Sequence, residues 1–153
     1  MVKKVRKRKI VLASGVFDLL HLGHVRFLEE AKKVGGPNSQ LIVIIARDNT
    51  VKKKKGRKPV MSENQRRALV ESLKVVDEAV LGFERFDLGD VIERVKPDAI
   101  ALGYDQIELE KGTKAYVNSH KLNIRVVRIG KFEEDELDSS SKIRKKIVEN
   151  FVR

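Results

Sequence analysis

The sequence predicts an α/β protein, Rossmann-like and doubly wound, with a mainly parallel five-stranded sheet. Three observations lead to this fold class. Short apolar runs of strand length alternate with longer segments whose apolar residues recur at helical spacing. Gly or Pro ends several of these segments, as at Gly82, Pro97 and Gly103. The 153 residues, 41% of them hydrophobic, can bury one sizeable core. We therefore expect a single domain over residues 1–153, with right-handed crossovers and a basic, flexible N-terminus at residues 1–8.

Strands and helices are predicted in alternation. Strands are expected at residues 9–13, 41–46, 78–81, 99–102 and 124–129, because each is a short apolar run. Helices are expected after His21, over 63–74, between a capping Asp87 and Pro97, over 108–120 and over 139–151. The pattern at 108–120 is the weakest, since Gly112 interrupts it. The lysine-rich run at 51–59 is interpreted as a loop.

The stretch GVFDLLHLGH, at residues 15–24, carries the strongest functional signal. It places two imidazoles three residues apart, on one face of the first turn of a helix. A helix N-terminus attracts phosphate through its free N–H groups and its dipole, and a glycine lets backbone approach a ligand closely. A pair of ordinary solvated histidines is the alternative. Candidate nucleotide-binding residues here are Gly15, Val16, Phe17, Asp18, His21 and His24.

Three further motifs follow predicted strands or precede a predicted helix. The run at 51–59 can neutralise a triphosphate, with Lys53 and Lys55 as the chosen lysines, although such runs are usually solvated loops. Gly103, Tyr104 and Asp105 end a strand, where a simple turn is the alternative. A predicted helix begins with the three hydroxyl residues Ser139, Ser140 and Ser141. Hydroxyls at a helix N-terminus either bind phosphate or only cap the helix. In an α/β sheet the ligand site lies beyond the carboxyl ends of the strands, so these motifs are expected to meet.

Together these motifs resemble the cytidylyltransferase-like branch of the nucleotidyltransferase superfamily. Residues 15–24 are similar to its Gly-(Thr/Val)-Phe-Asp-x-x-His-x-Gly-His signature. Residues 63–67 resemble its Glu-x-x-Arg segment, by which Arg66 is chosen as a phosphate-handling residue. Residues 103–105 resemble its Gly-x-Asp, and 138–143 its Ile-Ser-(Ser/Thr)-(Thr/Ser)-(Lys/Arg)-Ile signature. The resemblance implies a nucleotidyltransferase fold.

The chemistry implied is in-line attack of an acceptor phosphate on the α-phosphorus of a nucleoside triphosphate, without a covalent intermediate. His21 and His24 would hold the α-phosphate and the bridging oxygen. Lys53 or Lys55, with Arg66, would hold the β- and γ-phosphates, and the hydroxyls of residues 139–141 the leaving pyrophosphate. Mg²⁺ or another divalent cation is expected, because it screens the triphosphate and needs few protein ligands. Asp18 either caps the helix, orients the histidines or acts through metal-bound water.

Within the superfamily, residues 46–53, 55–59 and 102–106 look most like archaeal-type FAD synthases, which are FMN adenylyltransferases. ATP and FMN are then the expected substrates. Two departures from the family pattern stand out: Asp138 replaces the usual Ile, and acidic residues at 133–136 occupy the place of an Arg-Thr-Glu-Gly run in the glycerol-phosphate branch. The second departure argues against a CTP enzyme. The chain has no Cys, so no thiol takes part in the reaction.

Other functions stay open. A cytidylyltransferase acting on glycerol 3-phosphate is the nearest, and the formal charge of +11 allows a non-enzymatic RNA-binding protein. No nucleic-acid module or aromatic-bearing basic face supports the second, so nucleic acid is not an expected partner. A class I aminoacyl-tRNA synthetase does not fit, since residues 60–63 lack the lysine pattern of its second signature. We expect a cytoplasmic protein without membrane contact, and a homodimer by resemblance.

Overall fold

The computed structural model describes residues 7–85, 87–133 and 136–152. In these residues five strands are formed, each within two residues of its predicted range: β1 (Ile10–Gly15), β2 (Gln40–Ile45), β3 (Glu78–Leu81), β4 (Ala99–Leu102) and β5 (Arg125–Arg128). The helices are α1 (Leu22–Val34), α2 (Asp48–Lys55), α3 (Glu63–Glu71), α4 (Leu88–Val95), α5 (Ile107–Ser119) and α6 (Ser140–Phe151).

The strands form one sheet in the order β3-β2-β1-β4-β5, and every pairing in it is parallel. This confirms the predicted α/β class and the five-stranded parallel sheet. The strand order reverses between β1 and β4, so loops at their carboxyl ends open a crevice there. No helix in the described ranges is long and apolar enough to cross a membrane.

Helices cover both faces of the sheet. In β2 the residues Leu41, Val43 and Ile45 are 0% exposed, and they belong to the core cluster that includes Leu28 of α1 and Val70 of α3. The opposite face packs α4 and α5 through a second core cluster of Leu12, Val91, Ile92, Ile100 and Leu102. The α1/α3 face and the α4/α5 face therefore enclose the sheet between two apolar layers, as expected for buried parallel strands.

Helix α2 is a correction, because its sequence was interpreted as part of a loop. Asp48 lies in its first turn and lysines fill its last turn, so both ends complement the helix dipole. Gly56 ends the helix in the left-handed conformation, at φ +74°. Val51, 4% exposed, is its one buried residue. A helix anchored by a single apolar residue leaves almost no periodic signal in the sequence.

The expected flexible N-terminus falls largely outside the described residues, which begin at Lys7. Arg8 departs from that expectation, since its guanidinium donates to the carbonyl oxygens of Asn38 (3.3 Å) and Ser39 (3.2 Å). It also lies 3.7 Å from Asp77. Arg8 thus fastens the chain to the turn before β2. In the acidic segment at 133–136, residues 134 and 135 lie outside the described residues.

Candidate active site

A cleft of about 990 Å³ lies beyond the carboxyl ends of the strands. Three of the sequence motifs meet in its walls: residues 15–24, residues 103–105 and residues 139–141. All twelve candidate nucleotide-binding residues line it: Gly15, Val16, Phe17, Asp18, His21, His24, Gly103, Tyr104, Asp105, Ser139, Ser140 and Ser141. The cleft therefore joins residues that lie more than 100 positions apart in the sequence.

The chain between β1 and α1 is strained. Phe17 (φ 55°) and Leu19 (φ 48°) both take the left-handed conformation, which residues other than glycine rarely adopt. The buried ring of Phe17 lies 5.3 Å from that of His24, centroid to centroid. A Cβ on Gly15 would come within 2.9 Å of the Phe17 ring, so this glycine makes room for Phe17 as well as lining the cleft. Such strain is typical of functional sites.

His21 and His24 form a stacked pair at the start of α1. Their ring centroids are 3.7 Å apart at an interplanar angle of 25°. The backbone N–H of His21 donates to Nδ1 of His24 at 3.3 Å, so the neutral His24 ring carries its proton on Nε2. Burial, with the neighbouring His21 charge adding to it, lowers the pKa of His24 to about 3. At neutral pH His24 is an uncharged N–H donor with its ring fixed in place.

Asp138 lies against the histidine pair. Burial lowers the pKa of His21, and the carboxylate of Asp138 opposes this shift. A Cβ on Gly23 would come within 2.8 Å of the Asp138 carbonyl oxygen and 3.0 Å of the His21 ring, so only glycine lets this segment approach α1. Lys142 pairs with Asp138 at 2.7 Å. The replacement of the family's Ile at this position thus adds a carboxylate beside His21.

Asp18 does not cap α1, whose N-cap is His21. Its carboxylate, 6% exposed as a residue, accepts the backbone N–H groups of Val60 (2.8 Å) and Met61 (2.9 Å). Its carbonyl oxygen accepts the hydroxyl of Ser140. Asp18 therefore ties the histidine stretch to the loop after α2 and to the start of α6, and of the three roles considered for it the helix cap is wrong.

The basic run divides into residues that line the cleft and residues that do not. Lys54, Lys55, Arg57 and Lys58 line it, whereas Lys53 does not. Of the two lysines chosen from sequence, the structure therefore brings Lys55 to the site and turns Lys53 away from it.

Arg66 is the second correction among the chosen residues. It is 0% exposed and does not line the cleft. Its guanidinium donates to the carbonyl oxygens of Met61 (3.0 Å), Val16 (2.6 Å) and Ala46 (2.9 Å), and to Asp48 Oδ1 (2.6 Å). Carbonyl groups left open where β1 and β2 end draw the side chain inward. Arg66 holds the floor of the site together and does not reach a phosphate.

The serine motif both caps a helix and faces the cleft. The side chain of Ser139 accepts the backbone N–H of Lys142 at 3.2 Å, which is the plain capping role. Ser141 accepts from Arg144 at 3.0 Å, which leaves its hydroxyl proton for another acceptor. The three hydroxyls are therefore fixed by contacts within the protein while their residues line the cleft.

Thr50, Phe83, Lys131 and Arg144 are among the cleft-lining residues that sequence reasoning missed. Phe83 follows a glycine at the end of a strand, which was an available signal. Lys131 approaches the Tyr104 ring, its Nζ 5.7 Å from the centroid, after the end of β5. Thr50 and Arg144 lie within helices, and only the fold reveals which way they point.

The sheet is doubly wound and parallel, and one crevice at the carboxyl ends of its strands holds imidazole donors, a cationic helix and the serine-bearing start of another helix. This combination defines a nucleotide-binding α/β protein suited to phosphate chemistry. The family model described as Cytidylyltransferase-like matches residues 12–146. The chain belongs to this cytidylyltransferase-like family, as its motifs indicated.

Its relatives include the FAD synthase of Thermoplasma volcanium, 48% identical over 139 residues that cover 91% of this chain and 94% of the relative. The FAD synthase of Ferroglobus placidus is 51% identical over 140 residues, 92% of this chain and 88% of the relative. A solved structure titled as the lipopolysaccharide core biosynthesis protein from Thermoplasma volcanium is 43% identical, with a TM-score of 0.74. That match covers 83% of this chain and 100% of the other.

Proposed function

We propose that this protein is an FMN adenylyltransferase, which transfers AMP from ATP to FMN and yields FAD and pyrophosphate. Relatives named FAD synthase match about nine-tenths of the chain at 46% to 51% identity, and they support this substrate pair. The observation that carries the chemistry is the stacked, uncharged histidine pair at the start of α1, which lines the cleft.

In the proposed reaction an oxygen of the FMN phosphate attacks the α-phosphorus of ATP in line. The bond from that phosphorus to the bridging oxygen breaks, and pyrophosphate leaves. Negative charge grows on the transferring group, and a preorganised donor stabilises it without rearranging. Nε2–H of His24 is such a donor, since its Nδ1 is held by the His21 backbone N–H. His21 assists from the adjacent stacked ring.

The leaving pyrophosphate needs cations and hydroxyl donors. Lys55, supported by Lys54, Arg57 and Lys58, supplies positive charge from one wall of the cleft. Ser139 and Ser141 supply hydroxyl protons, and the start of α6 supplies a helix N-terminus, while Ser140 holds that start in place through its bond to Asp18. Arg66 acts only indirectly, by fixing the start of α2 through Asp48.

Mg²⁺, or another divalent cation, is proposed to enter with the triphosphate, where it neutralises phosphate charge. The described residues contain no group of three or more His, Cys, Asp or Glu placed to hold a metal, so phosphate oxygens would provide most ligands. Asp105, an exposed carboxylate in the cleft, stays assigned to nucleotide binding. Turnover should stop with EDTA and return with excess Mg²⁺.

The deciding experiment incubates the protein with Mg²⁺, each of the four nucleoside triphosphates and one acceptor, followed by mass spectrometry. FMN, glycerol 3-phosphate and a hexose 1-phosphate are the acceptors, the last because the structural relative's title names lipopolysaccharide core biosynthesis. We expect FAD and pyrophosphate from ATP and FMN alone. A CTP product with glycerol 3-phosphate would replace the proposal by the cytidylyltransferase alternative.

RNA binding is the alternative from another class. Salt-sensitive RNA affinity that survives loss of both His21 and His24, in a protein that transfers no nucleotide, would favour it. We also propose a homodimer and a cytoplasmic location. Light scattering that gives a mass near the 17.4 kDa of one chain would contradict the dimer.

A further inference from the structure

One part of the cleft holds none of the nucleotide motifs. It is an apolar lobe on the α4/α5 face of the sheet, where β2 and β3 end. Its walls are Ile44, Phe83, Val91, Ile107 and Leu109. These residues come from β2, the loop after β3, α4 and the first turn of α5.

The apolar lobe continues the core of the α4/α5 face into the cleft. Val91 belongs to that core, and Ile44, Phe83 and Leu109 pack against it. Arg94 stands 4.7 Å from the centroid of the Phe83 ring but does not line the cleft, so the ring faces the cleft with a different part of its surface. Ile107 is 46% exposed at the rim. An apolar wall inside a polar cleft is typical of a site for a largely apolar ligand group.

Thr50, from the first turns of α2, lines the same cleft and carries a buried polar atom without a partner among the described residues. Thr50 Oγ1 is buried and makes no hydrogen bond with the described residues. A buried hydroxyl without a partner costs free energy, which a ligand that bonds to it recovers. Arg47, which also lines the cleft, donates to Gly82 O (2.8 Å) and to Glu63 (3.0 Å), and these bonds hold the residue before α2 in place. Lys54 lies one helical turn after Thr50 and shares its face of α2.

The serine motif lies against the start of α1, beside the histidine pair. The Ser140 hydroxyl donates to the Asp18 carbonyl oxygen, and the Asp138 backbone packs on Gly23, so these contacts fix the start of α6 at the start of α1. The two substrates must flank the histidines for in-line transfer. If the nucleotide lies beside the serine motif, the acceptor must lie on the other side of the histidines, where the apolar lobe is.

We propose that the apolar lobe binds the isoalloxazine ring of FMN, an inference that rests on the proposed function. This ring is flat, with an apolar dimethylbenzene end and a pyrimidine edge rich in carbonyl and N–H groups. Phe83 and Leu109 contact the ring, and the Thr50 hydroxyl bonds to its polar edge. Lys54 then stands on the side from which the ribityl phosphate approaches the histidines.

The test compares Phe83→Ala and Thr50→Val with a matched control, Phe151→Ala, whose residue is 80% exposed at the end of α6. Steady-state kinetics give KM for FMN and for ATP. Fluorescence titration with riboflavin, which lacks the phosphate, reports on the ring alone. Both lobe variants should raise KM for FMN and the riboflavin Kd about tenfold, as expected for one aromatic contact or one hydrogen bond. KM for ATP should change less than about twofold, and the control should match the wild type in both.

A rise in KM for ATP with KM for FMN unchanged would place adenine in the lobe and overturn the proposal. Unchanged values for both substrates would overturn it as well. Failure of the wild type to make FAD would instead end the proposed function, so the two failures are distinguishable. If Phe83→Ala does not fold, Thr50→Val and Phe83→Leu carry the same test.

Discussion

Asp48 and Glu63 each accept a hydrogen bond from the other's backbone N–H, at 2.7 Å to Glu63 Oε2 and 3.3 Å to Asp48 Oδ2. They are the first residues of α2 and α3, so each carboxylate satisfies a donor that a helix start leaves open. Arg66 pairs with Asp48 at 2.6 Å, and Arg47 with Glu63 at 3.0 Å. The two helices therefore begin as one locked unit, which fixes the cleft-facing lysines relative to the histidines.

Loss of Arg66 should destabilise the contact between the starts of α2 and α3. Arg66→Met leaves Asp48 and three carbonyl groups without their donor, and we expect a loss of about 3–5 kcal/mol in the free energy of unfolding. Denaturant titration measures it. The control is Arg67→Ala, which removes a partly exposed pair with Glu71 and should cost less than about 1 kcal/mol. Near-normal stability with a raised KM for ATP would restore Arg66 as a phosphate ligand.

Removal of His24 should affect turnover far more than stability. His24→Ala is expected to lower kcat on the order of 100-fold or more, because a fixed donor at developing charge supplies about that much. His21→Ala should behave similarly. His120 is the control: it is exposed, stacked on Tyr116 at 4.0 Å, and outside the cleft. Equal damage from His120→Ala would refute the site.

The lowered pKa of His24 predicts a particular dependence of stability on pH. Its pKa is about 3 in the folded protein, against 6.5 for an unperturbed histidine. Between these two pH values His24 binds a proton in the unfolded chain but not in the folded protein. The contribution of neutral His24 to the free energy of unfolding is therefore fully present above pH 6.5 and is lost as the pH falls toward 3. Denaturant titrations from pH 8 to pH 4 should show a smaller fall for His24→Asn than for the wild type. The kcat of the wild type should show no ionisation of His24 between about pH 6 and 9. Parallel curves for the two proteins would contradict the buried neutral state.

Asp138 should affect the pKa of His21. Its carboxylate raises the pKa of His21 against the effect of burial, so Asp138→Asn should lower that pKa further. NMR titration of the imidazole protons measures the change, with Glu149→Gln on the exposed side of α6 as the control. An unchanged His21 pKa in Asp138→Asn would show that the two groups do not interact.

Fold and site were predictable to different extents. Strands such as β4 are predictable because four consecutive buried residues leave an apolar run. The motifs also predict that the histidines and serines meet in one cleft, as they do in the structure, since strand ends of a parallel sheet converge. Helix α2 was missed because its one buried residue, Val51, leaves no apolar period, and because the bond between Asp48 and Glu63 that fixes its start joins residues 15 positions apart. The sequence also could not tell that Arg66 turns inward, because its acceptors lie just after β1 and β2, in the loop before α3 and at the start of α2.

The lysine helix separates the enzyme from the polyanion-binding alternative. Lys55 lines the cleft and Lys53 does not, so Lys55→Ala should depress kcat/KM with ATP and FMN much more than Lys53→Ala. Lys4→Ala, in the basic N-terminal run, should have almost no effect. If the protein instead bound RNA as a general polyanion, each lost lysine would reduce the salt slope of binding by about one unit wherever it sits. Kinetics of the three variants, beside RNA titrations at several salt concentrations, decide between these outcomes. Equal and small effects of the three substitutions on turnover would show that α2 is not part of the active site. A lysine that binds phosphate acts through its position, whereas a solvated charge does not.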